Sequence, residues 1–232
     1  MTSGSRERGV DIDALWDFED PAASEGRFTD LRAEVLTQLA RSLGLQKRFA
    51  EADAALDEAE RSAKTVRTRT RVLLERGRVR NSSGDKAAAK PLFESAADLA
   101  DDEALRIDAL HMLGIVDAPS WTERALALAE ASADPKARKW RASLLNNLGW
   151  SKHDAGDHAA ALALFERALD LRRTEGTPFQ VHIARWAVAR CLRSLGRNDE
   201  ALAIQEELAA GMPDDKYVHE EIAKLRKALT QG

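Results

Sequence analysis

Apolar residues recur along this chain at steps of three and four, and short polar turns interrupt the recurrence at regular intervals. The clearest stretch is residues 143–171, SLLNNLGWSKHDAGDHAAALALFERALDL. Leu144, Leu145, Leu148 and Trp150 precede a turn, Asp154-Ala155-Gly156-Asp157. Ala161, Leu162, Leu164, Phe165, Ala168, Leu169 and Leu171 follow it. This spacing predicts two amphipathic helices, with Gly156 supplying the turn because a positive φ costs it nothing sterically. Gly149 and Ala161 are small where the two helices would cross, so their backbones can approach. A single hairpin of this kind cannot bury both its apolar faces, and neighbouring hairpins must supply the missing side.

The pattern repeats from about residue 30 to residue 213. Phe49, Ala52, Leu56 and Ala59 complete a first hairpin whose opening helix starts at Asp20-Pro21 and is expected to run to about Leu43. A second carries Leu73, Leu74 and Gly77, then Ala89, Phe93 and Ala96. The third is degenerate: Leu110, Leu113 and Gly114 are followed by a shortened turn, with Ser120 as the expected N-cap of the next helix. Asp134-Pro135 should start a long opening helix of the fourth hairpin, and Thr177-Pro178 the fifth. Ala52, Ala89, Ala125, Ala161 and Ala201 recur at spacings of 37, 36, 36 and 40. Residues 215–230 predict one more helix, with Ile222, Leu225 and Leu229 inward and Glu220, Glu221, Lys224 and Lys227 outward.

Leu148-Gly149 and Ala161-x₃-Phe165 resemble the tetratricopeptide repeat, W-x₂-L-G-x₂-Y followed by A-x₃-F. Leu145 stands in the tryptophan position and Lys152 in the tyrosine position. The resemblance implies an all-α fold: a right-handed superhelical solenoid of about five such hairpins over residues 21–213. An acidic, partly disordered segment (1–20) precedes it and a capping helix (214–232) follows. The unbroken run of repeats argues for one domain. In repeats of this kind the first helix of each hairpin lines a concave face that holds peptides.

Charge changes the picture only at the N-terminus. The formal net charge is −4, yet residues 1–30 alone hold three arginines against eight acids, leaving the rest of the chain close to neutral. A neutral body lacks the basic stripe that phosphate neutralisation requires, so no nucleic-acid partner is expected. Residues 11–20, DIDALWDFED, either cover the exposed end of the first repeat or serve as a tethered acidic-aromatic ligand. No run approaches a membrane span, the first residues lack an apolar leader, and a single cysteine, Cys191, suits a reducing compartment. The expectation is a cytoplasmic protein.

No catalytic constellation, cofactor motif or metal site is predicted. His153 and His158 straddle a turn instead of standing one helical turn apart, and a solvated turn is the plainer reading. Cys191, in an alanine-rich helix, reads as a buried small residue. The expected partner-binding positions, mapped from the repeat's concave face, are Arg41, Arg78, His111, Asn146, Asn147, Trp150, Trp186, Arg190 and Arg193. Thr37, Glu75, Asp108 and Met112 are expected on the same face. Arginine can grip a carboxylate through two parallel hydrogen bonds, and asparagine can hold an extended backbone. The expectation is therefore a non-enzymatic adaptor or scaffold for a protein or peptide partner of acidic character. The alternative is a structural module that self-assembles without a dedicated groove.

Overall fold

The computed structural model describes residues 10–231. The chain forms two compact units, Met1–Asp101 and Asp102–Gly232. Among the described residues every regular element is helical. The disorder expected of residues 1–9 lies outside the described residues.

Among its described residues the first unit holds a short 3-10 helix (Asp13–Leu15) and four α-helices, α1 (Pro21–Leu45), α2 (Phe49–Ser62), α3 (Val66–Ser82) and α4 (Lys86–Leu99). Asp20 caps α1 as its sequence predicts, its carboxylate accepting from the Ala23 N–H with Pro21 in the first helical position. α1 packs on α2 and α3 on α4, and α3 also packs on both helices of the first pair. Asp30 ties α3 to α1, its carboxylate accepting from the N–H groups of Lys64 and Thr65 and from the Thr68 hydroxyl at 2.6 Å. The acidic-aromatic segment before α1 lies against its own helix. Trp16 stacks on Phe18 and meets Phe28 edge-on, with centroids 5.7 and 5.2 Å apart, and Arg27 donates to the Leu15 carbonyl.

The second unit holds α5 (Glu103–Val116), α6 (Pro119–Ala131), α7 (Pro135–Arg138), α8 (Arg141–Asp154), α9 (His158–Glu175), α10 (Pro178–Ser194), α11 (Asn198–Gly211) and α12 (Lys216–Gln231). α5 pairs with α6, α8 with α9 and α10 with α11, while α12 packs mainly on α11. Two expectations are corrected. Pro119, not Ser120, opens α6, with Ala118 as its N-cap. The long helix from Pro135 breaks in two: the Trp140 N–H bonds to the Ala137 carbonyl, three residues back, and this tighter turn sets the Trp140 ring 5.3 Å from His111. Thr177 and Gln180 form a reciprocal capping box at the start of α10.

One size rule runs through the helix pairs. The five recurring alanines are all fully buried. Twelve residues before four of them stand Ala40, Gly77, Gly149 and Ala189, and four residues after stand Leu56, Phe93, Phe165 and Gln205. Glycine is present where the later residue is phenylalanine, because a Cβ on Gly77 or Gly149 would come within 2.5 or 2.6 Å of that ring. Five residues before the same alanines, the turn takes a positive φ at Lys47, Gly84, Gly156 and Gly196. In the third pair that position is Ser120, already inside α6, which accounts for the shortened turn.

α12 is the predicted capping helix, with two corrections to its faces. Val218, Ile222 and Leu225 are buried as an inward stripe, but Leu229 is partly exposed. Glu221, expected in solvent, is only 3% exposed. It is drawn in because three cations from two helices converge on it.

Candidate partner-binding groove

α9 is an 18-residue helix, whereas α2, α4 and α11 have 14. The extra turn matches the 40-residue spacing between Ala161 and Ala201, and it carries Arg172. There the guanidinium joins side chains from α5, α8 and α10 around a groove of about 380 Å³. His111 and Ile115 come from α5; Ser143, Asn146 and Asn147 from α8; Gln180, Ile183 and Ala184 from α10. A neighbouring recess of about 390 Å³ extends it past Trp140 and Glu175.

Arg172 donates to the Ser143 hydroxyl at 2.8 Å, and burial pushes its guanidinium below its usual pKa, with Glu175 partly offsetting this. Glu175 itself accepts from Arg141 at 2.7 Å. Asn147 and His111 meet at 3.3 Å between Nδ2 and Nδ1, which positions both at the groove wall. The groove thus offers a guanidinium, three carboxamides and an imidazole beside the apolar Ile115 and Ile183. That set can hold an extended backbone and a carboxylate.

Trp150, Trp186, Arg190 and Arg193 gather in a second cluster. Trp150 meets Phe165 at 4.9 Å, Trp186 at 6.0 Å and His153 at 5.3 Å. Arg193 donates to Glu221 at 2.6 Å, and Arg190 lies 3.6 Å from the same carboxylate while donating to the Ser194 hydroxyl at 2.9 Å. Lys224 adds a third cation at 3.0 Å. Burial would push the Glu221 carboxyl up, but Arg193 and Lys224 outweigh it and hold it below the usual range. The two arginines expected to meet a partner's acid are therefore engaged by the chain's own α12.

The histidines at the α8–α9 turn are not solvated as expected. His153 and His158 are half-buried with ring centroids 4.8 Å apart, and His153 Nε2 lies 2.9 Å from the Ser194 hydroxyl. Burial lowers the His153 pKa, with Arg190 adding to the effect. Among the described residues no group of three or more histidine, cysteine or acidic side chains could hold a metal ion. Cys191 is buried, as its helix predicts, and its thiol donates to the His158 carbonyl at 3.2 Å.

In the first unit, Arg41 and Arg78 both meet Glu75, at 3.5 and 2.5 Å, and Glu75 is buried. Thr37, Asp108 and Met112, expected on an open face, are buried as well. Sequence reasoning missed Arg172, Ser143, Gln180 and Ile183. Arg172 sits on a second helix, assigned to the outer layer, and the signal for it was the 40-residue spacing.

Residues 141–175, which span α8 and α9, match the family model of the tetratricopeptide repeat. No curated protein matches the chain. Among the solved structures that resemble it are the following three. The nearly identical TPR-like repeats of a Podosopora anserina protein described as a kinesin light chain share 18% identity, with a TM-score of 0.59 over 77% of this chain and 94% of that one. BtubC from P. vanneervenii shares 16% identity at a TM-score of 0.65, covering 88% of each chain. A thermophilic TPR protein of Thermus thermophilus shares 23%, at 0.50, over 84% of this chain and 99% of that one. Residues 141–175 thus carry one tetratricopeptide repeat, and the helical pairs before and after it share the fold of these solved structures.

Proposed function

We propose that this chain is a protein-interaction adaptor that binds an extended acidic segment of a partner protein in the groove over α5, α8, α9 and α10. Repeats of this fold generally mediate protein–protein interaction or scaffolding. The observation that carries the finer reading is Arg172. Its guanidinium lines a 380 Å³ groove, its hydrogen bond goes to a neutral hydroxyl, and the nearby Glu175 is already bonded by Arg141. Asn146 and Asn147 beside it supply the carboxamides that fix a main chain. Arg190 and Arg193 take no part, because Glu221 occupies them. The chemistry is recognition and not catalysis, and the partner is a polypeptide.

The test is a titration of the full chain with a pool of synthetic acidic peptides, residues 11–20 of this sequence among them, against the same peptides with amides in place of the acids. Arg172→Glu is expected to weaken binding of the acidic set by roughly tenfold or more, since charge pairs at partly desolvated interfaces contribute about 1.5 kcal/mol upward. Arg167→Glu, on the outer part of α9 and bonded to Glu130, should change little. Added salt should weaken the wild-type affinity. Equal affinities for wild type and Arg172→Glu would remove the basis of the proposal.

A further inference from the structure

Ile183 lines two cavities. One is the polar groove; the other, about 270 Å³, is walled by Trp186 and Tyr217 with His182 and Asp215 at its base. From these observations we infer that this second cavity is an anchor pocket for a large apolar side chain, of leucine or phenylalanine size, carried on the same partner segment that lies in the groove. The inference rests on the groove reading above and adds a second requirement to the ligand.

The pocket is built for an apolar guest. Its volume falls below the roughly 300–1,000 Å³ of small-molecule sites, and its walls are mostly carbon. The polar groups at its base satisfy one another: His182 Nε2 lies 2.9 Å from Asp215 Oδ2, and Asp215 Oδ1 accepts from the N–H groups of Tyr217 at 3.0 Å and Val218 at 3.4 Å. Both carboxylate oxygens are engaged, so a cationic guest has little to gain there. Trp186 is a fixed wall, packed on Trp150 and against the buried cluster of Leu208, Val218 and Ile222. Ile183 and Tyr217 stand 46% and 59% exposed, apolar surface that a guest would cover.

The geometry also limits where the apolar residue can sit. Ile183 lines both cavities, so a segment passing over it reaches both. In an extended segment, side chains two residues apart point the same way about 6.6–7 Å apart. A segment with its acid and its apolar residue on one face carries them an even number of positions apart, so spacings of two and four are the ones to test.

Two probes separate this inference from the groove reading. N-acetyl-phenylalaninamide, which carries no acid, is titrated into the full chain while the Trp186 indole N–H resonance is followed, assigned through Trp186→Phe. A saturable shift is expected in wild type and none in Ile183→Glu. Because Ile183 is exposed, that variant should melt like wild type; Tyr217→Ala serves as a second variant should it not. Peptides bearing an acid and a phenylalanine two or four positions apart are then compared with acid-only peptides. The pair should bind about tenfold or more tighter, with the gain lost in Tyr217→Ala, whose side chain lines only the pocket, and the acid preference kept. No indole shift, or a shift unchanged in both variants, overturns the pocket. A normal shift with no added effect of the acid keeps the pocket and overturns the groove reading instead.

Discussion

Gly149 and Phe165 are in contact to the limit of packing: a methyl group added to Gly149 would come within 2.6 Å of the ring. In an exposed helix, glycine to alanine stabilises by about 1 kcal/mol. Here overpacking reverses the sign, since Phe165 is fully buried and its ring has nowhere to turn. Gly149→Ala is expected to destabilise the chain by roughly 1–3 kcal/mol in urea unfolding, and Phe165→Leu should recover part of the loss. Gly26→Ala, with nothing within 4 Å of the added carbon, should instead stabilise by about 0.5–1 kcal/mol. A rise in midpoint for both alanine variants would refute the crossing argument.

Gln205 holds the place that Phe93 and Phe165 fill in other pairs. It is fully buried, and neither amide atom has a hydrogen-bond partner among the described residues. A buried polar group left unsatisfied costs about 1–3 kcal/mol. Gln205→Met keeps the shape without the polar atoms and is expected to raise the thermal midpoint by several degrees. Calorimetry showing a lower midpoint would mean that the amide is satisfied in solution.

Stability should fall in mild acid through His153. Burial and the Arg190 charge lower its folded-state pKa, so between that value and the unfolded value near 6.5 the unfolded chain binds more protons. The contribution of His153 is fully present above the unfolded value and declines as pH drops below it. Unfolding free energies measured between pH 7.5 and 5.5 should decline more steeply for wild type than for His153→Gln. Parallel curves would assign the slope to other groups.

Glu221→Gln is expected to cost roughly 1–3 kcal/mol, less than the 3–5 of a fully buried pair because Arg190 and Arg193 remain a quarter exposed and can turn to water. With its pKa lowered, Glu221 contributes above the unfolded carboxyl value, near 4.5, and the contribution is lost as pH falls through the folded one. Hydrogen exchange should show α12 opening more readily in the variant, while α8 and α9 keep their protection. Uniform loosening of all three helices would contradict a local role.

Much of this fold was legible because repeats state each rule several times. The alanine register, the A-x₃-F pairs and the glycine turns appear often enough that one degenerate copy, around Ser120, does not hide the pattern. Lys47 shows the limit: it takes the left-handed turn at φ 62° that glycine takes elsewhere, and only its position five residues before Ala52 identifies it. The site was harder to read. His111, Asn146 and Asn147 do line the groove, since their face of the helix follows from the period. Which arginine stays available depends on partners far away in sequence. Glu221, 28 residues after Arg193, settles that, and no local pattern announces such a pairing. The break at Trp140 likewise brings its ring to His111, a contact that periodicity does not encode.

The burial of Glu221 also fixes where α12 stops sliding. Its apolar residues, Val218, Ile222, Leu225 and Leu229, follow steps of three and four, so a shift of one turn along α11 would present nearly the same apolar stripe. Greasy surfaces alone discriminate poorly between such alternatives. A carboxylate that must meet Arg193 and Arg190 admits a single alignment, because a shift of one turn, about 5.4 Å, would leave it buried without the two arginines. Glu221 thus works as an index pin, setting the phase of the last helix where hydrophobicity supplies only its grip.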